Sequence, residues 1–127
     1  MVVVEMKTRW CPTWGPVVGY CFLIFFLSSQ TTVVAPTGGD KVAHIIEYGV
    51  LGWLWARATR TTWSTWPWRV VLLSTIFFTG IYGASDEWHQ LHVPGRFGEL
   101  PDALADLCGG TLGGISYLVW WWFTAKK

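Results

Sequence analysis

The sequence predicts an all-α fold, an integral membrane four-helix bundle with N- and C-termini cytoplasmic. Three observations carry that reading. Hydrophobic residues make up 52% of the 127 and charged residues only 13%, about half the charged share of a soluble domain. Between Trp10 and Gly39 run 30 residues without a charge, more than the roughly 20 that cross the hydrocarbon core as a helix. Basic residues and tryptophans also gather on one side of the apolar stretches, as a bilayer sorts them. The mean hydropathy, +0.36, is modest because 11 residues are Trp, which scores poorly on that scale yet favours the bilayer interface. A net charge of +1 gives no basic field to hold a polyanion, so nucleic acid is excluded as a partner. The length suits one domain, 1–127.

Taken in order, the first helix is expected at about 12–34, within the long uncharged run. It follows Lys7 and Arg9 like a signal peptide, but the run is too long and Ser28-Ser29-Gln30 is a poor cleavage site, so the segment is retained. The second, about 40–57, opens on Asp40-Lys41, carries His44 and Glu47, and ends at Arg57. The third, about 68–92, begins near Arg69 and is apolar from Val70 to Ser85. The fourth, about 102–124, is apolar from Leu107 to Ala125, ahead of Lys126-Lys127. The last three approach spanning length only with their polar ends at the interface or inside protein. Cys11, Cys21 and Cys108 have no metal or disulfide spacing and are expected to pack as small hydrophobes.

Four spans put Lys7, Arg9, Arg57, Arg60, Arg69, Lys126 and Lys127 on one side, seven of the nine basic residues, which makes that side cytoplasmic. Every tryptophan except Trp88 falls on that side too. The acids do the reverse: all but Glu5 fall in the outer loops or outer helix halves, together with His44, His89 and His92. Positive-inside sorting explains a loop acid such as Glu99. It does not explain charges set within apolar helical sequence, where each costs a few kcal/mol by insertion scales.

Three polar helix ends therefore form the candidate site. On helix 2, Asp40, His44 and Tyr48 recur every four residues with Glu47 beside them, one face of a helix. Asp40 serves equally as a helix cap, and Lys41 is expected to snorkel outward. On helix 3, Glu87 and Gln90 share a face. Adjacent carboxylates cannot both point inward on one face, so Glu87 is expected in the bundle and Asp86 at headgroups or solvent. The connection holds a Pro94-Gly95 turn followed by Arg96, readable as a phosphate or carboxylate clamp or as a salt bridge to a nearby acid. Helix 4 opens with Pro101, Asp102 and Asp106, then Gly109, Gly110, Gly113 and Gly114, whose small-xxx-small spacing lets another backbone approach. Paired aspartates facing a His and a Glu can hold a metal, share a proton or bind polar substrate groups.

These residues resemble a known family. Asp40-Lys41-Val42-Ala43-His44 with Tyr48, Glu87-Trp88-His89-Gln90, Pro94-Gly95-Arg96, and Asp102 with Asp106 and Gly109 are similar, in order and spacing, to the motifs of VanZ-like proteins over about 40–114. The chain departs from the family pattern before Asp102, where Gly98-Glu99-Leu100 stand in place of a small polar residue. The resemblance implies a bacterial or archaeal multi-pass protein of the cytoplasmic membrane with about four helices. Members include a protein linked to low-level resistance to the glycopeptide teicoplanin, and the family has no settled activity.

Two functions fit. In the first, an outer-face site binds or modifies a lipid-linked or glycan component of the cell envelope, with His44 and Glu87 as the acid–base pair. Asp40, Tyr48, Gln90, Asp102 and Asp106 would then orient the ligand or hold a metal, and Arg96 would clamp an anion. In the second, the same residues form a structural network, and the Trp-rich inner region docks a membrane protein partner in a larger complex. A proton path is disfavoured, since the inner helix halves offer no ionisable relay beyond Glu47. No cofactor is specified by the sequence.

Overall fold

The computed structural model describes residues 2–31 and 39–127, with side chains described over 9–31 and from 41 onward. Four helices follow in chain order: α1 Val2–Ser28, α2 Gly39–Thr62, α3 Trp68–Gln90 and α4 Leu100–Ala125. Among the described residues there is no strand.

The helix ends follow from local chemistry. α1 stops at Ser28, short of the expected 34, where the Ser29 hydroxyl donates to Phe25 O at 2.7 Å and the Gln30 amide to Phe26 O at 3.1 Å. Those side chains satisfy carbonyls that a helix end leaves open. α2 runs past the expected end at Arg57 to Thr62. Thr61 and Thr62 bond back to the carbonyls of Arg57 and Ala58 at 2.8 Å. Arg60 lies over the Trp121 ring at 4.0 Å and donates to Trp66 O at 2.5 Å. α3 is entered from Pro67, in extended conformation. α4 has Pro in its first turn and Asp102 beside it, both suited to a helix N-terminus.

α2 and α4 make the most intimate pair, and they run parallel: Lys41 meets Asp102, His44 meets Asp106, and Trp53 meets Tyr117. α3 runs antiparallel to both and packs along α4. α1 lies on α2 and α3, with no contact to α4 among the described residues. Glycine makes the parallel pair possible. A Cβ on Gly109 would lie 2.9 Å from Ile45 Cα and closer still to its carbonyl oxygen, and one on Gly113 would overlap the Gly49 carbonyl. The hydrogens that replace those Cβ atoms point at carbonyl oxygens, a weak attraction of about 0.5–1 kcal/mol each.

Polar groups lie inside and apolar groups outside. Thr75, Thr79, Asp86, Glu87, Gln90, Asp102, Asp106 and His44 are buried, while Phe22, Leu73, Phe77, Leu104, Leu112 and Phe123 are more than half exposed. The three cysteines are free; Cys11 and Cys108 lie on the helix exterior and Cys21 is partly covered. Among the described residues, two helices are long and apolar enough to cross a membrane, α1 over Arg9–Ser28 and α3 over Trp68–Gln90.

Candidate functional site

The site forms where the C-terminal ends of α1 and α3 meet the N-terminal ends of α2 and α4. His44 projects from the second turn of α2, held close to α4 by the contact of Gly109 with Ile45. Asp106 comes from the facing turn of α4. Gly83 of α3 makes room for it, since a Cβ there would stand 2.8 Å from Asp106 Cβ. His44 Nδ1 lies 2.7 Å from Asp106 Oδ1 and 4.0 Å from Glu87 Oε1, and its Nε2 lies 4.0 Å from Asp102 Oδ2. One imidazole thus faces three carboxylates from two other helices, and every member is buried. His44, Glu87 and Asp106 each offer an atom able to ligate a metal, all within 4.8 Å of one another.

The loop between α3 and α4 closes over this cluster through its backbone. Pro94-Gly95 form a turn, with Gly95 at φ +80° and the Arg96 N–H donating to Val93 O at 3.1 Å, a geometry that requires glycine at its third position. Gly98 then passes close to the end of α3, where a Cβ would lie 2.5 Å from Glu87 O. That approach lets the Glu99 N–H donate to Glu87 Oε2 at 2.8 Å. Because the bond comes from the main chain, the unusual side chains of Gly98-Glu99-Leu100 leave it intact.

The structure brings several of the expected residues together. His44, Glu87, Asp102 and Asp106 come together from three helices. Tyr48 is fully buried one turn below His44, its ring 6.2 Å from that of Tyr82. Gln90 is buried but turns to Asp86 Oδ2, at 3.3 Å, and not toward Glu87. Arg96 is half-buried and makes no ion pair among the described residues; its Nε is buried without a hydrogen-bond partner there. Asp40 lies in the first turn of α2, and its side chain is outside the described residues.

One expectation is corrected and one holds in part. Asp86 does not face solvent: it is 6% exposed. The neighbouring carboxylates diverge by one helical step, Glu87 toward α2 and α4, Asp86 toward α1, where the Ser28 hydroxyl bonds it. Lys41 does not turn wholly away either: it is half exposed, with Nζ 3.9 Å from Asp102 Oδ1. Sequence reasoning missed Ser28 and Ser29 as well. Ser29 Oγ lies 3.0 Å from His89 Nε2, and the His89 ring stacks on Phe25 at 4.5 Å. The signal for these was present in Ser28-Ser29-Gln30, three polar residues ending a long apolar run.

The family model for VanZ/LLP1 matches residues 20–122. The chain belongs to this family. The match exceeds the 40–114 stretch that carries the recognisable motifs and takes in the end of α1, in keeping with the contacts of VanZ-family α1 residues Ser28 and Ser29 to α3. No curated protein and no solved structure matches the chain.

Proposed function

We propose that this VanZ-family protein spans the cytoplasmic membrane four times, with both termini inside, and that its acidic end binds the polar head of a lipid-linked or glycan envelope component at the outer leaflet. The observation that carries the reading is a set of buried polar atoms left over at the site. Glu87 Oε1, Asp106 Oδ2 and the Tyr48 hydroxyl have no hydrogen-bond partner among the described residues, whereas buried polar atoms that serve packing alone are nearly always paired. Arg96 stands in the loop above them with a guanidinium suited to phosphate or carboxylate. The four-span topology is supported by the apolar exteriors of all four helices. Val42, Ile46 and Val50 of α2 and Leu104, Leu112 and Val119 of α4 point outward, while His44 of α2 and Asp102 and Asp106 of α4 are buried.

In the proposed chemistry, Glu87 and His44 act as acid–base partners on a hydroxyl or phosphate group of the ligand. Asp102 and Asp106 orient the imidazole, and Arg96 holds the anion. The test is thermal unfolding in detergent with a short-chain polyprenyl diphosphate or a neutral glycolipid. Stabilisation by the diphosphate in the parent, lost in Arg96→Lys with the fold retained, supports the clamp. Equal stabilisation in both excludes a specific role for the guanidinium. Reporter fusions after Lys127 and after Pro94 should read cytoplasm and exterior; the reverse sinks the outer-face site.

A second reading, an accessory subunit of a membrane complex, is favoured by one feature at the other end. An open groove of about 640 Å³ runs between α3 and α4, lined by Trp66, Trp68, Leu72, Ile115, Trp121 and Trp122. Under that reading the groove receives a partner's helix, and Trp121→Ala abolishes co-purification of the partner while leaving diphosphate binding intact.

A further inference from the structure

His44, Glu87 and Asp106 lie on three helices that the glycines bring together, and their nearest ligating atoms all fall within 4.8 Å of one another. Two bonds of the ordinary length, about 2.1 Å, hold neighbouring donors roughly 3.0–3.4 Å apart around a metal. The 2.7 Å and 4.0 Å separations of His44 Nδ1 from Asp106 Oδ1 and Glu87 Oε1 straddle that value. Each of those two separations differs from that value by less than about 1 Å, a gap that side-chain rotation closes. From this geometry we propose that His44 Nδ1, Glu87 and Asp106 bind one divalent transition-metal cation.

Three further observations converge on a cation here. The Glu87 and Asp106 side chains are more than nine-tenths buried, and each keeps one oxygen, Oε1 and Oδ2, without a hydrogen-bond partner among the described residues. Carboxylates outnumber cations: Glu47, Asp86, Glu87, Asp102 and Asp106 lie with two fixed cations, Lys41 and Arg96, and the titratable His44 and His89. In a water-poor helix bundle such an excess is costly unless a positive ion offsets it. Asp102 also faces the opposite nitrogen of the imidazole, with Oδ2 4.0 Å from Nε2. Carboxylates stand on that side of metal-binding histidines, and a closer approach would fix the tautomer that frees the ligating nitrogen.

The donor set selects the ion class. One imidazole nitrogen with carboxylate oxygens suits Mn²⁺, Fe²⁺ or Zn²⁺, whereas Ca²⁺ asks for six to eight oxygens. Three protein ligands leave coordination positions open toward the loop that carries Arg96, where water or an anionic head completes the sphere. The inference keeps the headgroup binding of the preceding reading but replaces the acid–base roles of His44 and Glu87 with ligation; its test contains no lipid-linked ligand, so the two stand or fall separately.

Protein free of any histidine tag, stripped with chelator in detergent, is titrated with Mn²⁺ while the free-ion electron paramagnetic resonance signal is followed, and Zn²⁺ is then added as competitor. The expected result is saturable binding of one Mn²⁺ per chain, displaced by Zn²⁺, with affinity at least tenfold lower in Glu87→Gln and Asp106→Asn and unchanged in His92→Ala. Helical circular dichroism identifies the variants that retain the fold. In the parent itself, spin-echo spectra of bound Mn²⁺ should carry the modulation of one directly coordinated imidazole nitrogen, a measurement that needs no variant. Absence of saturable binding, absence of that nitrogen signal, or equal affinity in a folded Glu87→Gln or Asp106→Asn protein overturns the proposal.

Discussion

At the acidic end of the bundle, α2 and α4 touch backbone to backbone through Gly109 and Gly113, and His44 stands 2.7 Å from Asp106. At the opposite end the same two helices are held by rings: Trp53 meets Tyr117 edge-on at 5.4 Å and tilts against Trp120 at 5.8 Å. There Arg60 and Lys126 lie over the faces of Trp121 and Trp122 at 4.0 and 3.8 Å. The two ends respond to error in different ways. Hydrogen bonds and ligation lose their strength within a few tenths of an ångström, so the acidic end needs glycine to set its spacing. Ring contacts tolerate a range of separations of about 4.5–7 Å, so the tryptophan end accommodates loosely matched shapes and an open groove.

The largest effect expected from that contrast is at Gly109. A valine there places carbon atoms against the Ile45 backbone, where neither side can give. Gly109→Val should destabilise the protein by more than about 3 kcal/mol, at or beyond the top of the range for overpacking, and separate His44 from Asp106. Thermal unfolding in detergent reads this directly. A variant of near-parental stability would mean that the two helices are not in backbone contact.

A smaller effect is expected from the rings. Trp55 stacks on Phe78 with centroids 3.8 Å apart and an interplanar angle of 8°, and stands edge-on to Trp14 at 5.2 Å. Trp55→Leu keeps an apolar filler and loses the ring contacts, which are worth about 0.5–1.5 kcal/mol each beyond buried area. The loss of stability should be roughly 1–2 kcal/mol, with Mn²⁺ affinity unaltered. A loss of metal binding on this substitution would join the two ends that the geometry separates.

The acidic end was legible in the sequence because its residues break a rule that the rest of the chain obeys. His44, Glu87, Asp102 and Asp106 are ionisable groups in apolar helical sequence, and the cost of such placement marks them before any geometry is known. Helix count was legible for the same reason. Less visible were features that depend on what lies across the bundle. Asp86 looks superfluous beside Glu87 until α1 supplies Ser28 to it, and nothing in the spacing of helix 3 says that a serine on helix 1 will arrive there. The end of α2 was misplaced because the apolar run stops at Arg57, while hydrogen bonding continues through Thr61 and Thr62. Helices end where backbone groups find other partners, and hydropathy marks only where lipid contact ends. The role of Gly98 and Glu99 was hidden because a main-chain N–H, common to nearly every residue, makes the contact to Glu87.

The smallest effect is expected at Lys41, on the rim of the acidic end, and it marks where tight geometry gives way to interface. The side chain is 51% exposed and its ammonium lies 3.9 Å from Asp102 Oδ1, whose own side chain is 4% exposed. If Lys41 were a buried counter-charge, removing it would leave Asp102 uncompensated and cost about 3–5 kcal/mol. The exposure argues otherwise. Half of the side chain is exposed, where water competes for the ammonium and salt screens the attraction, and Asp102 also faces His44 at 4.0 Å. Lys41→Met, which retains an apolar stem, should therefore change stability by no more than about 1 kcal/mol. Unfolding in detergent at low and high salt distinguishes the cases. A parent whose small advantage over the Met variant fades as salt rises places Lys41 outside the precise cluster; a salt-insensitive loss above about 3 kcal/mol would move it into the buried network and extend the acidic site to the edge of α2.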